Sequence, residues 1–396
     1  MIFFYCFIIA FFLIRLGVLL FTRHKQKSCQ QEFLEPANTL SPRIWFILPA
    51  LNESKIAAET IAHFSSLLNS RRKQCKLLVI TSQESREDDT YSVLRELQQQ
   101  FDFSLEHDAL SQSKQEKLNR IYLQLKSSSS EPFWLFVFDF DARPSLSLIE
   151  KAIAGVNDHD ETEMFQAIPV TTPKKGFGLF SHLTALDHLY RVMYVESFLN
   201  HFKWRYYLRL GMGACLLIKN SALDKIGGFP ENSDDIELGY RLDLCSVNRK
   251  TIMEYPTVTP VATIGSYFRQ YSRIMLGVLS LHRVFLDIPI KNSRAIKTKI
   301  ITYSTNFFSL LILLLTLLFS FLYPEQYYFL FYWLSEIIIQ IALLAYFRKI
   351  IDMPTLNTCI FHLLVSPISR PALQLLTVSY YYFVKGKYIK NYSTER

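Results

Sequence analysis

From residue 42 to residue 260 the chain alternates short apolar runs with longer segments whose apolar residues recur at helical spacing. Arg43 to Pro49, Lys76 to Ile80, a short stretch near Phe103 to Leu105, Phe133 to Phe138 and Met164 to Ile168 read as strands. Helices are predicted from Ser54 to Leu68, from about Asp88 to Phe101, around Gln112 to Leu125 and from Ser145 to Val156. A long amphipathic helix follows from about Leu179 to Phe202, then a Gly-Met-Gly-Ala strand at 211–218. A short helix ending at Gly227-Gly228 and a helix beginning at Ser233 complete the series. Strands alternating with helices predict an α/β fold with a mostly parallel sheet, and ligands bind such sheets at the carboxyl ends of their strands.

The pattern changes at both ends. Residues 1–22 are apolar except for Arg15 and Thr22, and residues 300–323 carry no charge. Further apolar stretches run from Tyr327 to Phe347 and from Thr355 to Val384. A membrane-spanning helix needs about 20 apolar residues. The expected organisation is therefore an amino-terminal anchor at 1–22, an α/β domain at 42–260, an amphipathic interfacial region at 261–297 and a membrane region at 298–385. A cleaved signal peptide fits residues 1–22 less well. No basic residue precedes the apolar core, no small-residue cleavage site follows, and Arg23, Lys25 and Lys27 come after it.

Those cations favour the cytoplasmic side, which puts the amino terminus outside and the α/β domain inside, in a multi-pass integral membrane protein. Lys291, Arg294, Lys297 and Lys299, then Arg348 and Lys349, then Lys385, Lys387 and Lys390 flank the carboxy-terminal stretches. If all three clusters are cytoplasmic, two spans cross and return and the third stretch is a re-entrant hairpin broken at Ser366-Pro367-Ile368-Ser369-Arg370-Pro371. A single kinked span with a translocated tail is the alternative. Arg15, Glu336 and Arg370 lie inside apolar segments, which is costly unless they pair or face water. Glu336 is expected to pair with Arg15 or Arg370, although Arg15 can also snorkel to the membrane surface.

The net charge of +8 is explained by these orientation signals and by attraction to anionic lipid headgroups, so nucleic-acid binding is not needed to account for it. Six cysteines, at 6, 29, 75, 215, 245 and 359, show no Cys-x-x-Cys spacing. They fit reduced thiols and suggest neither a disulfide framework nor a zinc site.

The candidate chemistry centres on Asp139 and Asp141, which follow the apolar run ending at Phe138. Two carboxylates at the tip of a buried strand offer hard oxygen ligands to Mg²⁺ or Mn²⁺, and a metal held there can hold a diphosphate. Two solvated turn carboxylates would look the same in sequence. The surrounding segments add weight: Pro49-Ala50-Leu51-Asn52-Glu53 after the first strand, and Lys114 through Leu118-Asn119 at a helix start. Further on come Ser233-Asp234-Asp235-Ile236-Glu237-Leu238-Gly239-Tyr240-Arg241, then Gln270-Tyr271-Ser272-Arg273-Ile274.

In this order the segments resemble the motifs of the family 2 glycosyltransferases, in the membrane-bound branch that includes hyaluronan, cellulose and ceramide sugar transferases. The resemblance covers roughly residues 42–280 and implies a GT-A fold and inverting transfer from a nucleotide-sugar donor. It implies that the loop bearing Pro49, Ala50, Asn52 and Glu53 holds the base and ribose, that Lys114 approaches the diphosphate, and that Asp139 lies close to the nucleotide. Asp141, with Asp139, would serve the divalent cation. Asp235 takes the place of the general base that accepts the acceptor hydroxyl's proton. Asp234, Gln270 and Arg273 would address the acceptor or the diphosphate. Plain structural readings stand beside these. Asn52 or Ser54 can simply cap a helix, Lys114 can be a solvated lysine, and Asp234 and Asp235 suit the first turn of a helix capped by Ser233. Gln270 and Arg273, three apart, can belong to a membrane-surface helix.

Three departures from the family pattern bear on function. Ile274 replaces a Trp that would stack on a sugar face, which favours transfer of one sugar over processive polymerisation. The family often places a base-contacting Asp after the second strand, where this chain has Thr81-Ser82-Gln83-Glu84. Glu84 is the substitute on offer, so the nucleotide is open, with UDP the commonest among relatives. Asp234 stands where a Glu is usual. The expectation is a transferase acting on a lipid or lipid-linked glycan at the cytoplasmic membrane face. A processive polysaccharide synthase and a non-catalytic nucleotide-sugar binder are the alternatives.

Overall fold

The computed structural model describes residues 43–69, 74–82, 89–111, 113–158, 161–172, 207–211, 213–230, 235–261, 263–279, 281–288, 292–324 and 327–347, with scattered positions at 13, 17, 181–188 and 364–379. The first half runs β1 (Arg43–Ala50), α1 (Ser54–Leu68), β2 (Cys75–Thr81), α2 (Thr90–Leu97), β3 (Ser104–His107), α3 (Lys114–Ser128), β4 (Phe133–Phe138) and α4 (Leu146–Asp158). It continues through β5 (Met164–Ala167), β6 (Val170–Thr171), β7 (Cys215–Lys219), α5 (Asn220–Ile226), α6 (Asp235–Leu244), β8 (Arg249–Ile252) and β9 (Thr257–Val258). Five helices close the described chain: α7 (Ile264–Leu279), α8 (Leu281–Asp287), α9 (Asn292–Asn306), α10 (Phe308–Leu322) and α11 (Tyr328–Phe347).

Seven strands form one sheet in the order β3-β2-β1-β4-β7-β5-β8, and β6 pairs with β9 in a small second sheet. β1 runs parallel to both β2 and β4, whereas β7 is antiparallel to β4 and β5. The chain builds outward from β1 to β3 and then returns to place β4 on the other side of β1. That reversal leaves a crevice at the carboxyl ends of β1 and β4, the place where open α/β sheets bind ligands. The loops that follow these two strands carry Asn52 and Glu53 on one side and Asp139 and Asp141 on the other.

Side-chain alternation explains why the sheet is buried on both faces. Phe46, Phe136 and Phe138 point to one side and pack with Phe64 of α1 and Ile149 of α4. Phe64 meets Phe138 edge-on at 5.2 Å, and Phe46 lies 5.1 Å from Phe136. Ile47, Leu135 and Val137 face the other side, against Leu118 and Ile121 of α3, Leu223 of α5 and Leu238 of α6. A third cluster joins α6 to the later helices through Ile236, Tyr240, Tyr271, Met275 and Val278. In this cluster Gly277 lets α7 press on Ile236, whose Cδ1 lies 2.9 Å from where a Cβ would be.

The expected elements from residue 43 to residue 168 all appear, with ends shifted by up to four residues. The predicted strand at 211–218 is shorter, beginning at Cys215. Gly211 and Gly213 are instead spent on close contacts with α6. The expected helix from Leu179 to Phe202 and the helix start at Ser233 and Asp234 fall largely outside the described residues, as does Glu84.

The membrane region departs from expectation. Among the described residues no helix is long and apolar enough to cross a membrane. The uncharged stretch at 300–323 is divided at Phe307 between α9 and α10. The 15 residues of α10 reach about 22 Å, short of a hydrocarbon core of about 30 Å. α11 is longer but carries Glu336 and Gln340, both buried. α10 and α11 pack together, with Ile312 and Leu313 against Tyr332. Tyr332 Oη donates to the Pro367 carbonyl at 3.3 Å and Trp333 Nε1 to the Leu364 carbonyl at 3.1 Å, so part of the stretch at 355–384 lies against α11. Of the anchor at 1–22 only positions 13 and 17 are described, and Arg15 and Arg370, the proposed partners of Glu336, lie outside the described residues.

Candidate active site

β4 ends at Phe138 because the next five residues form a tight turn that two other segments clamp. The Ala142 amide donates to the Asp139 carbonyl at 2.9 Å. Arg143 donates to the carbonyls of Phe140 (3.2 Å) and Ala142 (3.0 Å) and to Thr60 Oγ1 of α1 at 2.9 Å. Its own amide donates to Thr257 of β9 at 2.8 Å. His63 of α1 donates from Nε2 to the Pro144 carbonyl at 3.0 Å. Burial holds this imidazole below its ordinary pKa against the opposing pull of that hydrogen bond, with Arg143 adding to the lowering, so it clamps the turn as a neutral ring. The turn that displays the two acids is thus fixed from α1 and from β9.

Within it the two carboxylates differ. Asp141 is 3% exposed, and its Oδ2 accepts from the Thr259 amide at 2.9 Å. Asp139 faces the crevice, where its Oδ1 lies 2.8 Å from Lys114 Nζ. Lys114 is the first residue of α3, whose start is capped by Ser113 through the Glu116 amide at 3.1 Å. Its ammonium also donates to the Gly213 carbonyl at 3.1 Å. Five residues further along α3, Asn119 Oδ1 accepts from the Phe229 amide at 3.1 Å. That turn needs glycines, since Gly227 and Gly228 have φ of 81° and 96°. The Lys-x-x-x-Leu-Asn segment therefore joins the acids to the Gly-Gly-Phe turn that leads towards α6.

Asp235 opens the described part of α6. A Cβ on Gly213 would lie 1.9 Å from its Oδ1 and 2.0 Å from its Oδ2, so the carboxylate sits directly on that glycine. Gly213 is also the residue whose carbonyl holds Lys114. Lys114 thus joins Asp139 to Gly213, and Asp235 lies against the same glycine. If the crevice takes a nucleotide-sugar, as the motif order implies, Lys114→Gln is expected to weaken its binding about tenfold or more by removing one positive charge, with little change in thermal stability. A nucleotide-sugar titration of both forms checks it.

On β1, Pro49 and Ala50 pair in register with Ile80 and Thr81. Asn52 takes φ of 54°, a conformation Asn tolerates better than most residues, and turns the chain into α1. The Glu53 amide donates to Thr90 Oγ1 at 2.9 Å, tying this loop to the start of α2. On α7, Gln270 lines a cavity of about 20 Å³ with Thr171, His188, Pro260 and Ile274, room for one water molecule. Pro260 directly follows Thr259, so Gln270 is brought close to the segment that holds Asp141. Arg273 lies exposed three residues further along the same helix, and Gln270 is half-buried. Asp234 and Glu84 are outside the described residues.

A metal is testable against this donor set. Among the described residues no group of three or more His, Cys, Asp or Glu side chains is gathered to hold an ion. Asp139 and Asp141 offer hard oxygens from one rigid turn. That suits a cation such as Mg²⁺, which commonly takes one or two carboxylates and completes its shell with water and substrate phosphates. The residues fit a divalent ion that shares its ligands with a diphosphate.

No family model matches the chain, and no curated protein matches it. Among solved structures it is similar to the mannosyltransferase PcManGT from Pyrobaculum calidifontis, determined in complex with GDP-Man and Mn²⁺. Identity is 16%, the match covers 98% of this chain and 100% of that one, and the TM-score is 0.53. The chain has a GT-A-like fold. S. aureus TarS 1–349 in complex with UDP-GlcNAc aligns more loosely, at 12% identity over 88% of this chain and 93% of that one, with a TM-score of 0.43.

Several residues around the crevice and the acid turn carry no sequence signal that motif reading would catch. His63 and Arg143 clamp the acid turn, and Thr81 at the end of β2 bonds His107 Nδ1 at 2.9 Å, with the Tyr91 ring 4.5 Å from His107. A histidine closing β3 was the available cue for that pair.

Proposed function

We propose that the protein is an inverting, metal-dependent glycosyltransferase that moves one sugar from a nucleotide-sugar donor to a hydroxyl of a lipid or lipid-linked glycan. The observation that carries this reading is that Lys114 bridges Asp139 and the Gly213 carbonyl while Asp235 lies against the same glycine. The loop after β1 receives the base and ribose, and Lys114 faces the diphosphate. Asp235 takes the proton from the acceptor hydroxyl as its oxygen attacks the anomeric carbon, and the bond from that carbon to the diphosphate oxygen breaks. A divalent ion, Mg²⁺ or Mn²⁺, held by Asp141 and Asp139 supplies Lewis-acid neutralisation of the departing diphosphate. One displacement inverts the anomeric centre. The GDP-Man and Mn²⁺ of the mannosyltransferase with a similar fold support both a nucleotide-sugar donor and a divalent ion here, and they keep GDP beside UDP as the carrier.

The lipid acceptor is supported by exposed apolar side chains on α10 and α11. Leu314, Leu318, Phe321, Leu330, Leu334 and Ile338 all face outward, Phe321 at 84% exposure. Such a patch needs cover, and the bilayer supplies it next to the basic residues Lys297 and Lys299 of α9. In this reading the α/β domain lies on the cytoplasmic side of a multi-pass membrane protein whose amino terminus is outside, an arrangement that rests on the charge clusters. The test is transfer by the detergent-purified protein across a panel of nucleotide-sugars with Mg²⁺ or Mn²⁺ and native membrane lipids. A single sugar on an extractable lipid is expected. A ladder of products would favour a processive synthase, and donor binding without transfer a degenerate binder.

A further inference from the structure

A buried cluster of charges lies beneath the site and takes no part in the proposed chemistry. Arg249, the first residue of β8, is 3% exposed. Its Nη1 donates to the carbonyls of Arg209 (3.2 Å) and Gly239 (3.1 Å) and to Asp243 Oδ1 at 3.2 Å. Its Nη2 donates to the Leu210 carbonyl at 2.8 Å and to Gln166 Oε1 of β5 at 3.1 Å. Arg209 closes the cluster with its Nη2 2.6 Å from Asp243 Oδ1 and its amide 2.7 Å from Oδ2. Burial pushes Arg249 down to about 10, Asp243 opposes that and Arg209 adds to it, so the guanidinium is still charged at neutral pH.

The placement of those acceptors matters more than their number. Gly239 belongs to α6, the helix that begins with Asp235. Arg209 and Leu210 lead directly into Gly211 and Gly213, the segment on which Asp235 rests. One planar fork therefore fastens the base-bearing helix to the segment it must touch. The two backbones meet with nothing between them. A Cβ on Gly239 would lie 2.3 Å from the Gly211 amide nitrogen, and one on Gly211 would lie 2.1 Å from the Asp235 carbonyl oxygen. Two cations on one buried carboxylate are a poor way to gain stability, because desolvation offsets most of the attraction. As a way to fix three carbonyls in one geometry, a guanidinium has no substitute among the side chains, and lysine lacks the fork.

We infer that Arg249 is the positioning residue of the candidate base: by joining α6 to Arg209 and Leu210, it sets how Asp235 stands over Gly213 and hence against Lys114. This rests on the reading of Asp235 as the base of a sugar transfer. The test compares wild type, Arg249→Lys, Gly239→Ala and Gln166→Met as full-length proteins in detergent, measuring kcat, donor KM, donor binding and thermal midpoint. Arg249→Lys is expected to lower kcat about 100-fold, the cost of a displacement of about 1 Å, with donor KM within about twofold of wild type. Gly239→Ala moves the same helix without touching a charge and is expected to give the same split. Gln166→Met removes one acceptor of the guanidinium and is expected to lower kcat several-fold, and it carries the test if the other two do not fold. A purely structural role would lower the thermal midpoint and leave kcat per folded molecule within about twofold in every variant that folds, which overturns the inference. Transfer by wild type with unaltered kcat in the variants sinks this inference alone. Absence of transfer by a wild type that binds donor sinks the underlying reading instead.

Discussion

Asp235→Asn is expected to lower kcat for sugar transfer by about 10³-fold while leaving donor affinity within about twofold. The amide keeps the shape of the carboxylate and can rest on Gly213 as before, but it cannot take a proton from the attacking hydroxyl. The expected split follows from the geometry. Donor contacts are assigned to the loop after β1, to Lys114 and to the acid turn, none of which the substitution alters. The first turn of α6 loses one negative charge, so stability should fall by about 0.3–1 kcal/mol through the helix dipole. Steady-state kinetics, a donor titration and a thermal melt of the two proteins read the three quantities separately. Unchanged kcat would remove Asp235 from the mechanism.

Gly213→Ala should be nearly as damaging from the opposite side of the same contact. The added methyl carbon would fall 1.9 Å from the Asp235 carboxylate, so the acid must swing away or α6 must lift. Either movement displaces the base by about 1 Å or more, and a misplacement of that size costs about 100-fold in rate. Gly213 is not among the residues of positive φ, so the loss would come from the contact and not from backbone strain. Gly227→Ala makes the contrast. Nothing lies within 4 Å of its added carbon, but its φ is 81°. That variant should lose about 1 kcal/mol of stability and keep its kcat. Kinetics normalised to folded protein, with melts of both variants, would separate the two effects.

Much of this centre was legible in the sequence because its parts are local. Six apolar residues from Phe133 to Phe138 announce a buried strand, and two acids after it announce where the strand stops. Lys114 through Leu118-Asn119 announces a helix start. What could not be read is which strands neighbour one another. Alternation tells which face a side chain takes, and nothing in Cys215–Lys219 says that β7 runs antiparallel between β4 and β5. Gly211 and Gly213 were mistaken for strand residues for the same reason, since their close contact is with a helix more than twenty residues further along. Arg249 was invisible because a basic residue at a strand start ordinarily reads as solvated, and only the fold brings three carbonyls to it. Hydropathy over residues 300–323 overstated one helix, because the run of uncharged residues continues across the break at Phe307.

The measurement that tests the central claim most directly is the anomeric configuration of the sugar that the wild-type protein transfers from a labelled nucleotide-sugar, read by NMR on the isolated product. A single direct displacement, with Asp235 taking the proton, requires the configuration opposite to that of the donor. A product with the donor's configuration retained would contradict the account.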